Sequence, residues 1–204
     1  LPLFNNATQA QKAPGSTFKP IIAVAALEEG VIGLNDTVNC TGIYKEISPA
    51  LRCWIYPGQH GPLDVVHGIQ NSCNVFFSEM GHRLSMDENG NYSPELGIEK
   101  IRKYASLFGL DETSGIEIAE REPQMTTEKP EASSIGQGKN SYSNVQLSRY
   151  ITAVANKGTV FKLSLLDKMT DSQGNLLEDF TPEVRSVIEV KDSTWNAVHT
   201  GMRR

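Results

Sequence analysis

No run of apolar residues in the 204-residue chain approaches the roughly 18 to 20 needed to cross a bilayer, so no transmembrane helix is expected within it. Its opening, Leu1-Pro2-Leu3-Phe4, has neither the basic head nor the apolar core of a secretory signal. Positive charge is scarce: 19 Lys and Arg face 24 Asp and Glu, for a net charge of -5, and no basic cluster suggests a nucleic-acid partner. Three cysteines, Cys40, Cys53 and Cys73, are too few for a disulfide-dense scaffold and form no C-x-x-C pair. Cys40 and Cys53 have a spacing that allows a bridge across a short loop in an oxidising compartment; two unpaired thiols are at least as good a reading. His60, His67, His82 and His199 show no ligand spacing, so surface or structural roles are expected, with neither metal nor cofactor. Internal repeats and low-complexity tracts are absent.

What remains is an ordinary globular composition, 39% hydrophobic and 21% charged, long enough for one sizeable core or one domain with an appendage. Its most informative segment is Ala13-Pro14-Gly15-Ser16-Thr17-Phe18-Lys19-Pro20, directly before the apolar run Ile21 to Leu27. Pro-Gly marks a turn, and Pro20 is tolerated in an opening helical turn, so a helix is expected to begin near Ser16. Residues three apart share a helix face, which puts the Lys19 amine within reach of the Ser16 hydroxyl. A lysine acts as base toward such a hydroxyl only if desolvation or a neighbouring cation lowers its pKa from about 10.4. The helix behind it, apolar on nearly all sides, is a source of that desolvation. Alone the spacing says little, because about one Ser-x-x-Lys is expected by chance in such a chain. The plain alternative is a Ser16 N-cap beside a solvated Lys19.

Further along, Gly and Pro from 31 to 62 read as an elaborated loop around Cys53-Trp54-Ile55-Tyr56. Asp64 is expected to cap a helix through Val65, Val66 and Ile69, and Val75, Phe76, Met80 and Leu84 form a second helical face. A solvent loop over 87–94 precedes an amphipathic helix carrying Ile98, Ile101, Ala105 and Phe108, closed by Gly109. Residues 111–143 form a long connection, either functional or poorly ordered. Val145 to Val154 read as another helix, capped by Asn156-Lys157-Gly158. A hairpin turning at 171–175, a short strand near 187–190 and a last helix with Trp195, Val198 and Met202 follow.

Ser72-Cys73-Asn74, the one Ser-x-Asn in the chain, falls where one helix breaks and the next begins. A hydroxyl and an amide placed there can face one space, the first relaying a proton and the second holding a substrate carbonyl or N–H. The plain alternative is that Ser72 or Asn74 caps the second helix.

A Ser-x-x-Lys at a helix start followed by a Ser-x-Asn between helices is the pattern of β-lactamases and penicillin-binding proteins. The chain resembles the transpeptidase domain of a class B penicillin-binding protein. Further landmarks carry the resemblance along most of its length: Ala7-Thr8-Gln9, His60-Gly61, Val75-Phe76-Phe77, Ile135-Gly136-Gln137-Gly138, Ala155-Asn156-Lys157-Gly158-Thr159, and Trp195 to Gly201-Met202. It implies an α/β (α+β) transpeptidase fold. It also implies a peptidoglycan D,D-transpeptidase that cross-links stem peptides through an acyl-serine intermediate and is acylated by β-lactams. Ser16 would be the nucleophile and Lys19 its base. Ser72 would pass the proton to the leaving amine, Asn74 would bind the stem peptide, and the Ser16 N–H would be one oxyanion donor.

The family's third motif, Lys-Ser/Thr-Gly, does not occur; Lys157-Gly158-Thr159 has the residue types in another order and reads as a helix C-cap. Residues 1–204 are therefore expected to be a partial domain, mostly the helical lobe with a β-hairpin, its central sheet largely missing. Such a chain should acylate weakly or not at all. A membrane anchor outside it and a place on the outer face of the bacterial cytoplasmic membrane are implied by the resemblance. The alternatives are a β-lactam sensor, a non-catalytic helical domain and, less favoured, a β-lactamase using Glu120, Glu122 or Glu128 to activate water.

Overall fold

The computed structural model describes residues 4–204, so most of the opening tetrapeptide lies outside the described residues. In chain order the elements are β1 (Gln11–Lys12), a 3-10 turn (Gly15–Phe18), α1 (Lys19–Glu28), β2 (Val38–Cys40), β3 (Ile43–Tyr44), β4 (Leu51–Arg52), β5 (Gly61–Leu63), α2 (Val65–Gln70), α3 (Asn74–Leu84), α4 (Pro94–Leu107), α5 (Pro130–Ser133), β6 (Tyr142–Ser143), α6 (Asn144–Ala155), β7 (Thr159–Lys162), β8 (Lys168–Thr170), β9 (Leu176–Asp179), β10 (Glu183–Val187) and α7 (Asp192–Arg203).

Every residue of α1 from Lys19 to Leu27 is buried, as its lack of a polar face dictates. Around it pack α3, α4, α7 and α2, each offering one apolar face. Two acidic residues fasten its C-terminal end: Glu29 accepts from Lys103 Nζ at 2.7 Å and Tyr104 Oη at 3.0 Å on α4, and Glu28 accepts from Thr194 on α7. Gly201 of α7 lies so close to α2 that a Cβ there would come within 2.8 Å of the Val66 carbonyl oxygen, and only glycine permits this crossing.

The helical expectations hold at α1, α2, α3, α4, α6 and α7. Asp64 accepts the His67 N–H at 2.8 Å, and Ser143 with Gln146 forms a reciprocal capping box for α6. Two corrections concern strands. Residues 31–62 are not simply a loop, because β2 pairs with β5 and β3 with β4, both antiparallel. The strand expected near 187–190 instead spans Glu183–Val187, pairs with β7, and carries a register shift between Val184 and Ser186 that breaks its alternation. The hairpin β8–β9 turns at 171–175 as expected. Among the described residues the strands form only two-stranded sheets, with no large central sheet. The 111–143 connection is ordered, and it buries Glu131, Ser133, Ser134 and Asn140. Among the described residues, no helix is long and apolar enough to cross a membrane.

Candidate active site

Ser16 lies exposed in the 3-10 turn that leads into α1. It caps neither helix: Pro14 and Phe18 hold the N-cap positions, and neither cap uses a side chain, which removes the plain alternative for Ser16. The turn is held from below. Tyr150 Oη donates to the Thr17 carbonyl at 2.8 Å, Thr17 Oγ1 donates to the Pro14 carbonyl at 2.8 Å, and the Phe18 ring stacks on Tyr142. From the side, the Gly15 N–H donates to the Gly136 carbonyl at 3.0 Å. Gly136 has a left-handed φ of 71°, and a Cβ there would lie 2.0 Å from the Gly15 carbonyl oxygen. The Gly136-Gln137-Gly138 segment therefore buttresses the turn that carries Ser16. The Ser16 N–H belongs to a first helical turn, whose backbone donors have no partner inside the helix.

Lys19, one turn on, is 2% exposed. Its ammonium donates to the Ser72 carbonyl at 2.6 Å, to Ser72 Oγ at 3.0 Å and to Asn74 Oδ1 at 2.8 Å, and it lies 5.6 Å from the centre of the Phe77 ring. All three N–H bonds are thus used, and none goes to Ser16. Desolvation pulls the Lys19 pKa down to about 8, against the opposing pull of Cys73 and Cys53. The solvated lysine of the plain alternative is excluded. Sequence spacing places Lys19 on the Ser16 side of the helix; the fold adds the second anchor, across 53 positions of sequence.

That anchor is a strained helix end. The Ser72 N–H donates to Ile69 and the Cys73 N–H to Gly68, at 2.9 and 3.0 Å, the paired bonds of a Schellman motif. The residue usually glycine in that motif is Ser72, held at φ 45°. This left-handed twist aims both its carbonyl and its hydroxyl at Lys19. Neither Ser72 nor Asn74 caps α3, since the cap is Cys73, whose sulfur accepts the Phe76 N–H at 3.4 Å. Asn74 bridges instead, accepting from Lys19 and donating from Nδ2 to the Arg52 carbonyl at 3.1 Å.

The arrangement places an exposed hydroxyl on a braced turn beside a buried amine with a lowered pKa, whose other contacts are a hydroxyl and an amide. It suits nucleophilic attack with the amine as proton acceptor and Ser72 Oγ as relay. No carboxylate among the described residues hydrogen-bonds to Lys19 or Ser72; Glu120 binds Ser114 at 2.6 Å and Glu128 pairs with Lys139 at 3.7 Å. A large surface cavity lined by Ile47, Pro49, Tyr92, Ile98 and Glu131 contains none of the four site residues, so chemistry rather than concavity marks the site.

The description that fits residues 2–204 is that of the penicillin binding protein transpeptidase domain. The chain belongs to that family. Peptidoglycan D,D-transpeptidase MrdA of Escherichia coli K12 is 28% identical over 218 aligned residues, covering 98% of this chain and 32% of the relative. Stage V sporulation protein D of Bacillus subtilis is 39% identical over 106 residues, covering 52% and 14%. The chain thus spans about a third or less of the length of these curated relatives. A solved peptidoglycan synthase complex contains a chain with TM-score 0.83 and 25% identity, matching all of this chain and 34% of that one. Penicillin-binding protein 2B of Streptococcus pneumoniae R6 shares the fold, with TM-score 0.78 over 96% of this chain, at 20% identity. The transpeptidase fold expected from Ser16, Lys19, Ser72 and Asn74 is the fold found.

A second cluster borders this site and was not visible in the sequence. The ligand atoms of Cys40, Cys53, His60 and Cys73 all lie within 4.8 Å of one another. Cys53 Sγ is 3.8 Å from Cys73 Sγ and 3.7 Å from His60 Nδ1. All three cysteines are buried and free, so the bridge between Cys40 and Cys53 is not formed. Burial pushes the Cys73 thiol well up, whereas Cys53 is held below its ordinary value: burial opposes this, and backbone N–H groups of Ile55, Asn74 and Val75 outweigh it. Burial, and then the Lys19 charge, hold His60 below the ordinary imidazole range. No pair among the four has the short spacing, roughly two to five residues, by which such sets are read from sequence.

Proposed function

We propose that Ser16 is the acylated nucleophile of a peptidoglycan D,D-transpeptidase and that Lys19 is its base. The observation that carries this reading is the buried Lys19 amine, lowered to about pH 8 and held on Ser72 and Asn74 one turn from an exposed serine. At pH 7 roughly one molecule in ten holds the neutral amine, against fewer than one in a thousand for an ordinary lysine. The neutral amine gives up one of its three donor bonds and gains a lone pair to take the Ser16 proton. Attack on the carbonyl of a D-Ala-D-Ala-type stem forms the acyl-Ser16 ester and breaks the terminal amide. The departing amine takes its proton by way of Ser72 Oγ, and an amine of a second stem then resolves the ester. β-Lactams enter the same step by ring opening on Ser16.

The family and its relatives' names support peptidoglycan as substrate and β-lactams as inhibitors. In a protein of the relatives' length, this chemistry belongs on the outer face of the cytoplasmic membrane, with anchoring supplied outside residues 1–204. The chain alone, without a Lys-Ser/Thr-Gly strand, is expected to acylate slowly and below stoichiometry. Intact-mass measurement after incubation with benzylpenicillin checks both statements. Mass gain surviving in Ser16→Ala removes the nucleophile assignment; rapid stoichiometric gain in the unaltered chain removes the need for that strand.

A further inference from the structure

We propose that the surface cavity between the β3–β4 hairpin, α4 and α5 is a subsite for the side-chain amine of the donor stem peptide, with the Glu131 carboxylate as its partner; that the amine belongs to a stem rests on the transpeptidase reading above. The cavity has a volume of about 780 Å³, within the range that holds small ligands, and its walls are apolar: Ile47, Pro49, Leu51, Ile98 and Pro130. Its charged lining is four carboxylates, Glu95, Glu99, Glu128 and Glu131, against Arg102 and Lys129, an excess that favours a cation.

Glu131 decides the ligand. It is 3% exposed, yet among the described residues no lysine or arginine lies within ion-pair distance of it. Its Oε1 accepts from Tyr92 Oη at 2.9 Å and lies 3.3 Å from His82 Nδ1, while Oε2 has no hydrogen-bond partner among the described residues. Burial, and then the bond to Glu131, push the Tyr92 phenol up, so it stays a donor. A carboxylate offers about four acceptor sites, and burying one without a cation or a full set of donors is costly. An ammonium on an alkyl chain supplies both charge and donor to Oε2 and lays its methylenes on the apolar walls.

The cavity adjoins the acylation site without sharing its residues. Arg52, next to the cavity residue Leu51 on β4, accepts through its carbonyl from Asn74 Nδ2 at 3.1 Å, and Asn74 in turn accepts from Lys19. On α3, Ser78, one turn beyond Asn74, donates to the Glu131 carbonyl at 3.4 Å. A stem held by Asn74 therefore has the cavity one residue beyond its anchor. The α5 side is rigid, since Ser133 Oγ donates to the Glu128 carbonyl at 2.9 Å and Ser134 Oγ to the Pro130 carbonyl at 2.8 Å. The same segment runs on to Gly136, which braces the turn carrying Ser16. In the second stem an amine resolves the ester, so in the donor stem the same group must be kept from attacking its own acyl carbonyl. Paired with Glu131 it stays an ammonium, which has no lone pair to attack with.

The test titrates the 204-residue chain with the tripeptide amide L-alanyl-γ-D-glutamyl-L-lysinamide, whose side-chain amine is free, and with the same peptide acetylated on that amine. Calorimetry should show the free amine binding about tenfold or more tightly than the acetylated form. Amide shifts on its addition should centre on residues 47–51, 92–102 and 127–132. Glu131→Gln keeps the shape and an acceptor for Tyr92 and should abolish the preference. Ser16→Ala should retain it, so loss of the nucleophile assignment would leave this result standing. Should Glu131→Gln fail to fold, the two peptides and the shifts decide in the unaltered chain. Equal affinity for the two peptides, no binding of either, shifts centred outside those three segments, or a preference that survives in Glu131→Gln would each overturn the proposal.

Discussion

Two helix ends in this molecule use the same backbone device for different ends. At the C-terminus of α2, Ser72 takes the left-handed position of a Schellman motif; at the C-terminus of α6, Lys157 does the same at φ 61°, with the Lys157 and Gly158 N–H groups donating to Val154 and Ala153. A non-glycine residue there costs about 1 kcal/mol or more. Lys157 is exposed, and its side chain makes no hydrogen bond or ion pair among the described residues, so its strain does no more than end a helix. Ser72 spends the same strain on aiming two oxygens at a buried ammonium. The comparison separates strain that is merely tolerated from strain that positions a charge.

The sharpest way to break the comparison is to remove the charge. Lys19→Met leaves two Ser72 oxygens and Asn74 Oδ1 without their donor and removes the proposed base. β-Lactam acylation of a protein of the relatives' length should fall about a thousandfold or more, read as the rate of mass gain. Lys157→Met should leave that rate within a factor of about two. Equal losses at both sites would mean that Lys19 matters only for folding.

Next in size is Gly136→Ala. Its Cβ meets the Gly15 carbonyl oxygen at 2.0 Å in a left-handed conformation, so the turn carrying Ser16 must move. A loss of about 2 to 3 kcal/mol in urea unfolding is expected, together with slower acylation. Gly174→Ala is the control: its φ is also left-handed, at 86°, but a Cβ there meets nothing within 4 Å, so it should cost only about 1 kcal/mol and leave acylation alone.

The pH dependence sharpens the same contrast. The folded Lys19 pKa lies at about 8, below the ordinary 10.5, so between those values the unfolded chain binds more protons than the folded one. Stability contributed at this position therefore rises with pH through that window, by up to the order of 3 kcal/mol, and burial of the charge opposes folding fully below pH 8. Acylation should rise with a midpoint near pH 8. The unfolding free energy of the unaltered chain, relative to Lys19→Met, should climb from pH 8 to 10; a flat difference would place the Lys19 pKa near its ordinary value.

How much of this was legible in the sequence follows from the range of the interactions. The helices show themselves through short-range signals: the apolar run behind Lys19, the Asp64 and Ser143 caps, the Gly109 stop. Ser16, Lys19, Ser72 and Asn74 are found through their order along the chain, but not the direction in which Lys19 points. Spacing aims it at Ser16, whereas its bonds go to residues 53 and 55 positions away, set by the packing of α1 on α3. Strands of two or three residues among Gly and Pro carry too little alternation to be told from a loop, which hid β2 to β5. The cluster of Cys40, Cys53, His60 and Cys73 is assembled only when those strands fold back onto the α2–α3 junction, so no local spacing announces it.

The smallest effects decide whether the two helix ends are alike in their backbones. Lys157→Gly removes left-handed strain at an exposed residue and should stabilise the chain by about 1 kcal/mol, seen as a rise in the urea midpoint with an unchanged slope. Ser72→Gly gains the same backbone relief and loses the hydroxyl that accepts from Lys19, a bond to a charged group worth about 1.5 to 3 kcal/mol. It should therefore be neutral or destabilising, while Ser72→Ala keeps the strain, loses the bond, and should be less stable than Ser72→Gly by about 1 kcal/mol. The difference between the two Ser72 variants isolates the strain, and the difference between Ser72→Gly and Lys157→Gly isolates the grip on Lys19. Were Ser72→Gly to stabilise the chain as much as Lys157→Gly does, the hydroxyl would contribute nothing to holding the ammonium, leaving the Ser72 carbonyl and Asn74 as its anchors.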